Sequence, residues 1–159
     1  MNALIAYRSK YGAAALCAQK LNEKLGGKCG IVDLKDEKNP SLVEYDTVII
    51  GGSIYAGRMQ GTVSRFVEKN KAALKVKTVG LYITCLYQDD KAREELEANF
   101  PIWLTAHAAV SEWFGGIAKL GGMSKTDRFI FTRMAKVVDD IDSISEERID
   151  KFCSVLAAR

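Results

Sequence analysis

The sequence has one histidine, His107, and four cysteines, Cys17, Cys29, Cys85 and Cys153, none of them in a C-x-x-C pair. That set builds no recognisable zinc or haem signature and offers His107 neither a second ligand nor a triad, so no metal is expected. Proline occurs only 2 times, while 48% of residues are apolar and 27% charged, which excludes a disordered or fibrous chain. No stretch approaches the ~18 apolar residues of a membrane span, and the opening MNALIAY lacks a basic flank and a long apolar core. A cytoplasmic protein is the expectation, with the cysteines reduced and serving first as small core residues. The charge is also weak: 23 Lys and Arg against 20 Asp and Glu give +3. This is too little to predict nucleic-acid binding, and it disfavours a strongly acidic electron carrier. At 159 residues the chain is read as a single domain over 1–159.

What is present is alternation. Short β-rich runs at Ala3–Tyr7, Cys29–Leu34, Thr47–Gly51, Thr78–Ile83 and Ala109–Ile117 are separated by segments of helical period at Ala13–Leu25, Thr62–Leu74, Lys91–Leu104 and Ser145–Ala158. The first and third runs are apolar without alternation, as in strands covered on both faces, and are predicted to be central. In the last helix Ser145 is placed to cap the N-terminus, and Glu146 and Glu147 to complement the dipole. Right-handed crossovers then predict an α/β, doubly wound parallel sheet of five strands in the order 2-1-3-4-5. Ligands bind such sheets where the strand order reverses, so the loops after Tyr7, Ile50 and Ile83 are the place to look.

The first loop, RSKYGA, joins a strand to a helix start, where unpaired backbone amides and the dipole favour an anion. Gly12 permits the tight turn, Ser9 brings a hydroxyl and Lys10 a positive charge; an ordinary capped turn is the alternative. The second, GGSIYAGRMQG, has four glycines in eleven positions, letting backbone approach a flat heteroaromatic ring that Ile54 or Tyr55 faces; the alternative is a mobile glycine-rich loop. The third, TCLYQDD, places Tyr87 where a second aromatic covers the ring, unless it is an exposed loop residue. Cys85 reads as a redox thiol or as a small residue packed at the strand end, the latter favoured because no electropositive, exposed setting is evident.

The later segment from Ile117 to Val137 carries Lys119, Lys125, Arg128, Arg133 and Lys136 against the single acid Asp127, a net +4. Phe129 and Phe131 are interleaved, and Ile130, Met134, Val137 and Val138 share one helical face. Such a basic amphipathic helix suits an anionic membrane surface or the carboxylates of a planar ligand, and equally a core-packed helix with a solvated face.

Three stretches carry a resemblance: LIAYRSKYG, YDTVIIGGSIYAGRMQGTVSRFVEKN and GGIAKLGGMSKTDRFIFTRMAK. Together they resemble the flavodoxin superfamily and, within it, the flavodoxin-type menaquinone-dependent protoporphyrinogen oxidases. The resemblance implies a flavodoxin-like three-layer sandwich and FMN as cofactor. It implies that Ser9, Lys10, Tyr11, Gly12, Ala13 and Ala14 surround the phosphate, and that Ser53, Ile54, Tyr55, Ala56 and Gly57 meet the ring. Thr84, Cys85, Leu86 and Tyr87 close its other side. Arg58, Arg128 and Arg133 then neutralise substrate carboxylates, and no side chain acts as catalytic acid or base. The implied partners are a tetrapyrrole or other small organic electron donor and a quinone or redox-protein acceptor, with peripheral contact to the inner face of the cell membrane through 124–138. One departure stands out, because flavodoxin phosphate loops usually end in Thr or Ser and this one has Ala13, Ala14 and Ala15. One lost neutral hydrogen bond, ~0.5–1.5 kcal/mol, implies about tenfold weaker FMN binding. Two other readings stay open: an electron-carrier flavodoxin, and a flavin-poor binding module.

Overall fold

The apolar run at Ala3–Tyr7 lacks alternation because helices cover both of its faces: Leu4 and Ala6 join one core cluster and Ile5 the other. The computed structural model describes residues 1–134 and 136–159, the side chain of Met134 excepted. Its strands are β1 (Ala3–Arg8), β2 (Gly30–Asp33), β3 (Thr47–Tyr55), β4 (Arg58–Met59), β5 (Thr78–Thr84), β6 (Val110–Trp113), β7 (Ile117–Ala118) and β8 (Ile141–Asp142). Its helices are α1 (Ala13–Lys24), α2 (Gly61–Lys69), α3 (Lys71–Leu74), α4 (Asp89–Asn99), α5 (Ile102–His107), α6 (Lys125–Met134) and α7 (Glu146–Ala157).

The main sheet runs β2-β1-β3-β5-β6, every neighbour parallel, which is the expected 2-1-3-4-5 order once β4 is counted. Helices α1 and α7 cover one face through Cys17, Leu21, Ile149 and Phe152. The other face is covered by α2 to α5 through Phe66, Leu74, Leu96 and Leu104. The α1–α7 layer is clasped at the surface by Lys24 to Asp150 at 2.6 Å and by Lys20 to Glu146. Ser145 caps α7 as expected, accepting from the Arg148 amide at 3.3 Å.

The differences from expectation have local causes. The helix expected over Lys91–Leu104 is cut by Pro101, which puts Phe100 in extended backbone (φ −115°, ψ 144°). The helix expected over Thr62–Leu74 divides at Asn70, whose side chain bonds back to the Phe66 carbonyl. The last sheet strand stops at Trp113, and Ile117–Ala118 turns away to pair antiparallel with β8. The second glycine-rich segment is mostly sheet: β3 continues to Tyr55 and folds back on β4, with Ala56 and Gly57 at φ 49° and 76° as in a primed hairpin turn.

On the sheet's free edge, buried Glu112 accepts from Arg148 at 2.7 Å and from the Trp113 amide at 3.1 Å. In the middle of the sheet, Gly51 has no side chain because the ring of Tyr82, on adjacent β5, lies there; a Cβ on Gly51 would sit on that ring. The Tyr82 ring stacks on Phe114 at 5.2 Å, and its hydroxyl donates to the Ala14 carbonyl at 2.9 Å. Gly51→Ala is therefore expected to displace Tyr82 and lower stability by about 1–3 kcal/mol, the usual cost of overpacking, as read by urea denaturation.

Candidate functional site

Parallel strands present their carboxyl ends together, so the loops leaving β1, β3 and β5 converge above the middle of the sheet. In the first of these, the Ser9 hydroxyl accepts from the Gly12 amide at 3.0 Å, and the Lys10 amide donates to Ser53 Oγ at 3.0 Å, tying the loop to β3. Gly12 begins α1 at φ 95°, a conformation with little cost only for glycine. Gly12, at the N-cap, has no side chain to cap α1, so its first-turn amides and dipole face the loop with no N-cap side chain on them. Ala13 and Ala14 are buried, Ala14 completely. Ser9 is thus the one Ser or Thr hydroxyl between Arg8 and Ala15.

Beside this loop lie two adjoining cavities that share Ile54, Cys85, Leu86 and Phe131. The smaller, about 30 Å³, is bounded by Ser53, Tyr55 and Thr84. The larger, about 220 Å³, reaches Gly57, Tyr87, Lys91 and Ile130. The buried Thr84 hydroxyl has no hydrogen-bond partner among the described residues. The aromatic against Tyr55 is Phe131, with ring centroids 5.5 Å apart, and Lys10 Nζ stands 3.5 Å from the Tyr55 centroid on its way to Asp127. Tyr55 and Tyr87 do not face each other across one slot: each bounds a different cavity, and Tyr87 is 39% exposed.

The second glycine-rich segment was expected to lend Gly51 and Gly52 to a ligand's edge. Both are buried in β3 instead, where Tyr82 and Met59 fill the space beside them. Ala56 and Gly57 are the exposed part, at the hairpin tip.

The basic segment differs most from expectation. Helix α6 is capped by Ser124, whose hydroxyl accepts from the Asp127 amide at 3.1 Å, and it ends at Met134. Of the amphipathic face predicted for 124–138, Ile130 turns to the larger cavity and Val137 is buried beside Ala118 and Leu120, while Val138 is 77% exposed. Ala135 and the Met134 side chain lie outside the described residues. Among the described residues no helix is long and apolar enough to cross a membrane. Arg58, Arg128 and Arg133 are exposed and border neither cavity; Arg133 lies 5.5 Å from the Phe129 ring. Residues that sequence reading did not place at the site include Asp127, which accepts from the Tyr11 and Tyr55 hydroxyls, Phe131, and Lys91 and Glu95 in the larger cavity's lining. The signal for Asp127 was its being the single acid of that segment.

Cys85 is 4% exposed, its Sγ–H donating to the Tyr87 carbonyl at 3.6 Å, and burial pushes its pKa up to about 11. This supports the packing reading of the thiol rather than the redox one. At pH 8 the thiolate fraction falls by about two orders of magnitude relative to an exposed thiol. Iodoacetamide labelling of Cys85 in the native chain should be slower than in the unfolded chain by about that factor, the gap closing as pH rises toward 11.

The unpartnered Thr84 hydroxyl, the uncapped start of α1 beside Ser9 and the apolar slot along Ile54 and Leu86 fit a phosphorylated ligand with a flat ring. They fit FMN with one condition. The two cavities together fall short of the ~300 Å³ at which ligand pockets begin, and Phe131 of α6 is a wall of both.

A sequence-family model described as a flavodoxin domain matches residues 4–144. No curated protein shows significant sequence similarity to the chain. Among solved structures, the chain is similar to two-electron reduced flavodoxin of Megasphaera elsdenii, with TM-score 0.65 and 11% identity over 99% of both chains. It is also similar to a flavodoxin of Streptococcus pneumoniae TIGR4, with TM-score 0.58 and 17% identity over 99% of both. A third likeness is to rubredoxin oxygen:oxidoreductase from Desulfovibrio gigas, with TM-score 0.54 and 16% identity, covering 98% of this chain and 37% of that one. The chain thus spans little more than a third of that oxidoreductase, and at such identities the structural likeness concerns the fold. The family match over most of the sequence is what decides membership: the chain belongs to the flavodoxin domain family, whose cofactor is FMN.

Proposed function

We propose that the chain is an FMN-dependent oxidoreductase of the protoporphyrinogen oxidase type, taking electrons from a reduced tetrapyrrole and delivering them to a quinone. The observation that carries this reading is the cavity of about 220 Å³ beside the Ile54–Gly57 hairpin, walled by Ile54, Leu86, Ile130 and Phe131 with Lys91 and Glu95 also in its lining. An electron carrier needs the ring's edge near its surface, whereas a largely apolar chamber beside it suits a flat organic donor placed against the ring. FMN supplies the two-electron redox chemistry. The chain's part is to hold the phosphate with Ser9 and the α1 amides, to line the ring with Ile54, Tyr55 and Leu86, and to exclude water through α6. Lys91 lines the chamber together with Glu95, and its ammonium is the positive charge there for a donor bearing carboxylates.

A carrier reading has one observation in its favour, the equal length of the chain and the flavodoxins of Megasphaera elsdenii and Streptococcus pneumoniae, each covered over 99%. Anaerobic mixing of the FMN-loaded chain with protoporphyrinogen separates the two. Bleaching of the flavin band, restored by a menaquinone analogue, is the expected result; an unchanged band removes the oxidase reading and leaves the carrier. Independently, Ser9→Ala should weaken FMN binding by about ten- to a hundredfold, the worth of a hydrogen bond to a charged group (~1.5–3 kcal/mol), measured by quenching of FMN fluorescence.

A further inference from the structure

We infer that Lys10, Tyr11 and Tyr55 form a carboxylate clamp at the mouth of the flavin site, and that Asp127 of α6 is its internal occupant, displaced by a carboxylate of the organic substrate. The geometry is specific to a planar two-oxygen anion. The Tyr11 hydroxyl donates to Asp127 Oδ2 and the Tyr55 hydroxyl to Oδ1, so each oxygen takes one phenol. Lys10 Nζ bridges the pair, 3.4 Å from Oδ2 and 3.5 Å from Oδ1. A carboxylate needs nothing more, and its side chain is only 16% exposed.

The donors come from elements that do not depend on α6. Lys10 and Tyr11 sit in the loop after β1, which is bonded to Ser53 of β3, and Tyr55 ends β3 itself. Lys10 Nζ already lies over the Tyr55 ring at 3.5 Å. Two phenols and an ammonium without Asp127 would be a donor set lacking an acceptor. The acid that fills it is the single one in a segment of net +4, on a helix carrying Phe131 into the cavity. Asp127 and Phe131, one helical turn apart on α6, thus hold places for a carboxylate and for an aromatic ring. Held by the chain, Asp127 competes at an effective concentration near millimolar, so a free carboxylate must outbid it to open the site.

This inference rests on the reading of a carboxylate-bearing donor, and its test uses a probe unrelated to tetrapyrroles. The full chain, saturated with FMN, is titrated by calorimetry with 2-naphthoate and with neutral 2-naphthamide. Asp127→Asn should bind naphthoate at least about tenfold more tightly than the unaltered chain, with no such gain for the amide. Adding Lys10→Met or Tyr55→Phe to Asp127→Asn should remove the gain. In the unaltered chain, naphthoate should also accelerate tryptic cleavage after Arg128 and Arg133, reporting release of α6. Equal binding of the two probes, or a gain that survives Lys10→Met, overturns the clamp. Porphyrinogen turnover without these effects sinks the clamp alone; these effects without turnover leave the clamp and sink the tetrapyrrole reading.

Discussion

A phenol ring lying where a side chain is missing holds the strand ends in place. Tyr82 is fully buried, and burial raises its pKa well above the usual phenol range, so its hydroxyl stays a donor throughout the range in which the protein works. That donor reaches the carbonyl of Ala14, in the first turn of the helix whose amides face the loop after β1. The sheet therefore fixes the position of α1's start through one side chain. The space for that side chain exists because β3 has glycine at position 51. The glycines that suggest a ligand in the sequence here serve the scaffold, and the scaffold serves the ligand.

A second constraint is the unequal attachment of α6. The two main clusters bury large side chains on both faces of the sheet, whereas the segment around α6 rests on a small satellite of Ala118, Leu120 and Val137. Partly buried Leu86, Met123 and Ile141 pack against that satellite, and α6 is also held through Asp127 and by the Phe131 ring between Tyr11 and Tyr55. Elements with few buried apolar contacts open at lower free energy than the body they cover. The segment that roofs the cavity is thus also the one best able to leave it.

Much of the fold could be read from the sequence because its signals are local. The unbroken apolar runs at Ala3–Tyr7 and Thr47–Gly51 are what two-sided burial requires, and they do form interior strands. The split at Pro101 was also visible in principle, while that at Asn70 was not, since the helical period continues through it. The site divides in the same way. Ser9 and Gly12 are neighbours whose turn chemistry is short-range, and the tight turn expected at Gly12 is present. Asp127 meets partners 116 and 72 positions away, a pairing that no periodicity encodes. The hairpin after β3 was obscured by its composition, because glycines that pack against Tyr82 and Met59 look the same in a sequence as glycines that loop.

The free margin of the sheet shows a different economy. An outermost strand with unoccupied amides invites a strand from another molecule. Here the outward amide of Trp113 is taken up by Glu112, and Arg148 locks that carboxylate from the neighbouring helix. The arginine also lies over the indole at 4.0 Å, sealing the ring that would otherwise be a sticky apolar border. The same ion pair that looks like a minor stabilising contact therefore also occupies one outward amide of β6 and covers the indole beside it.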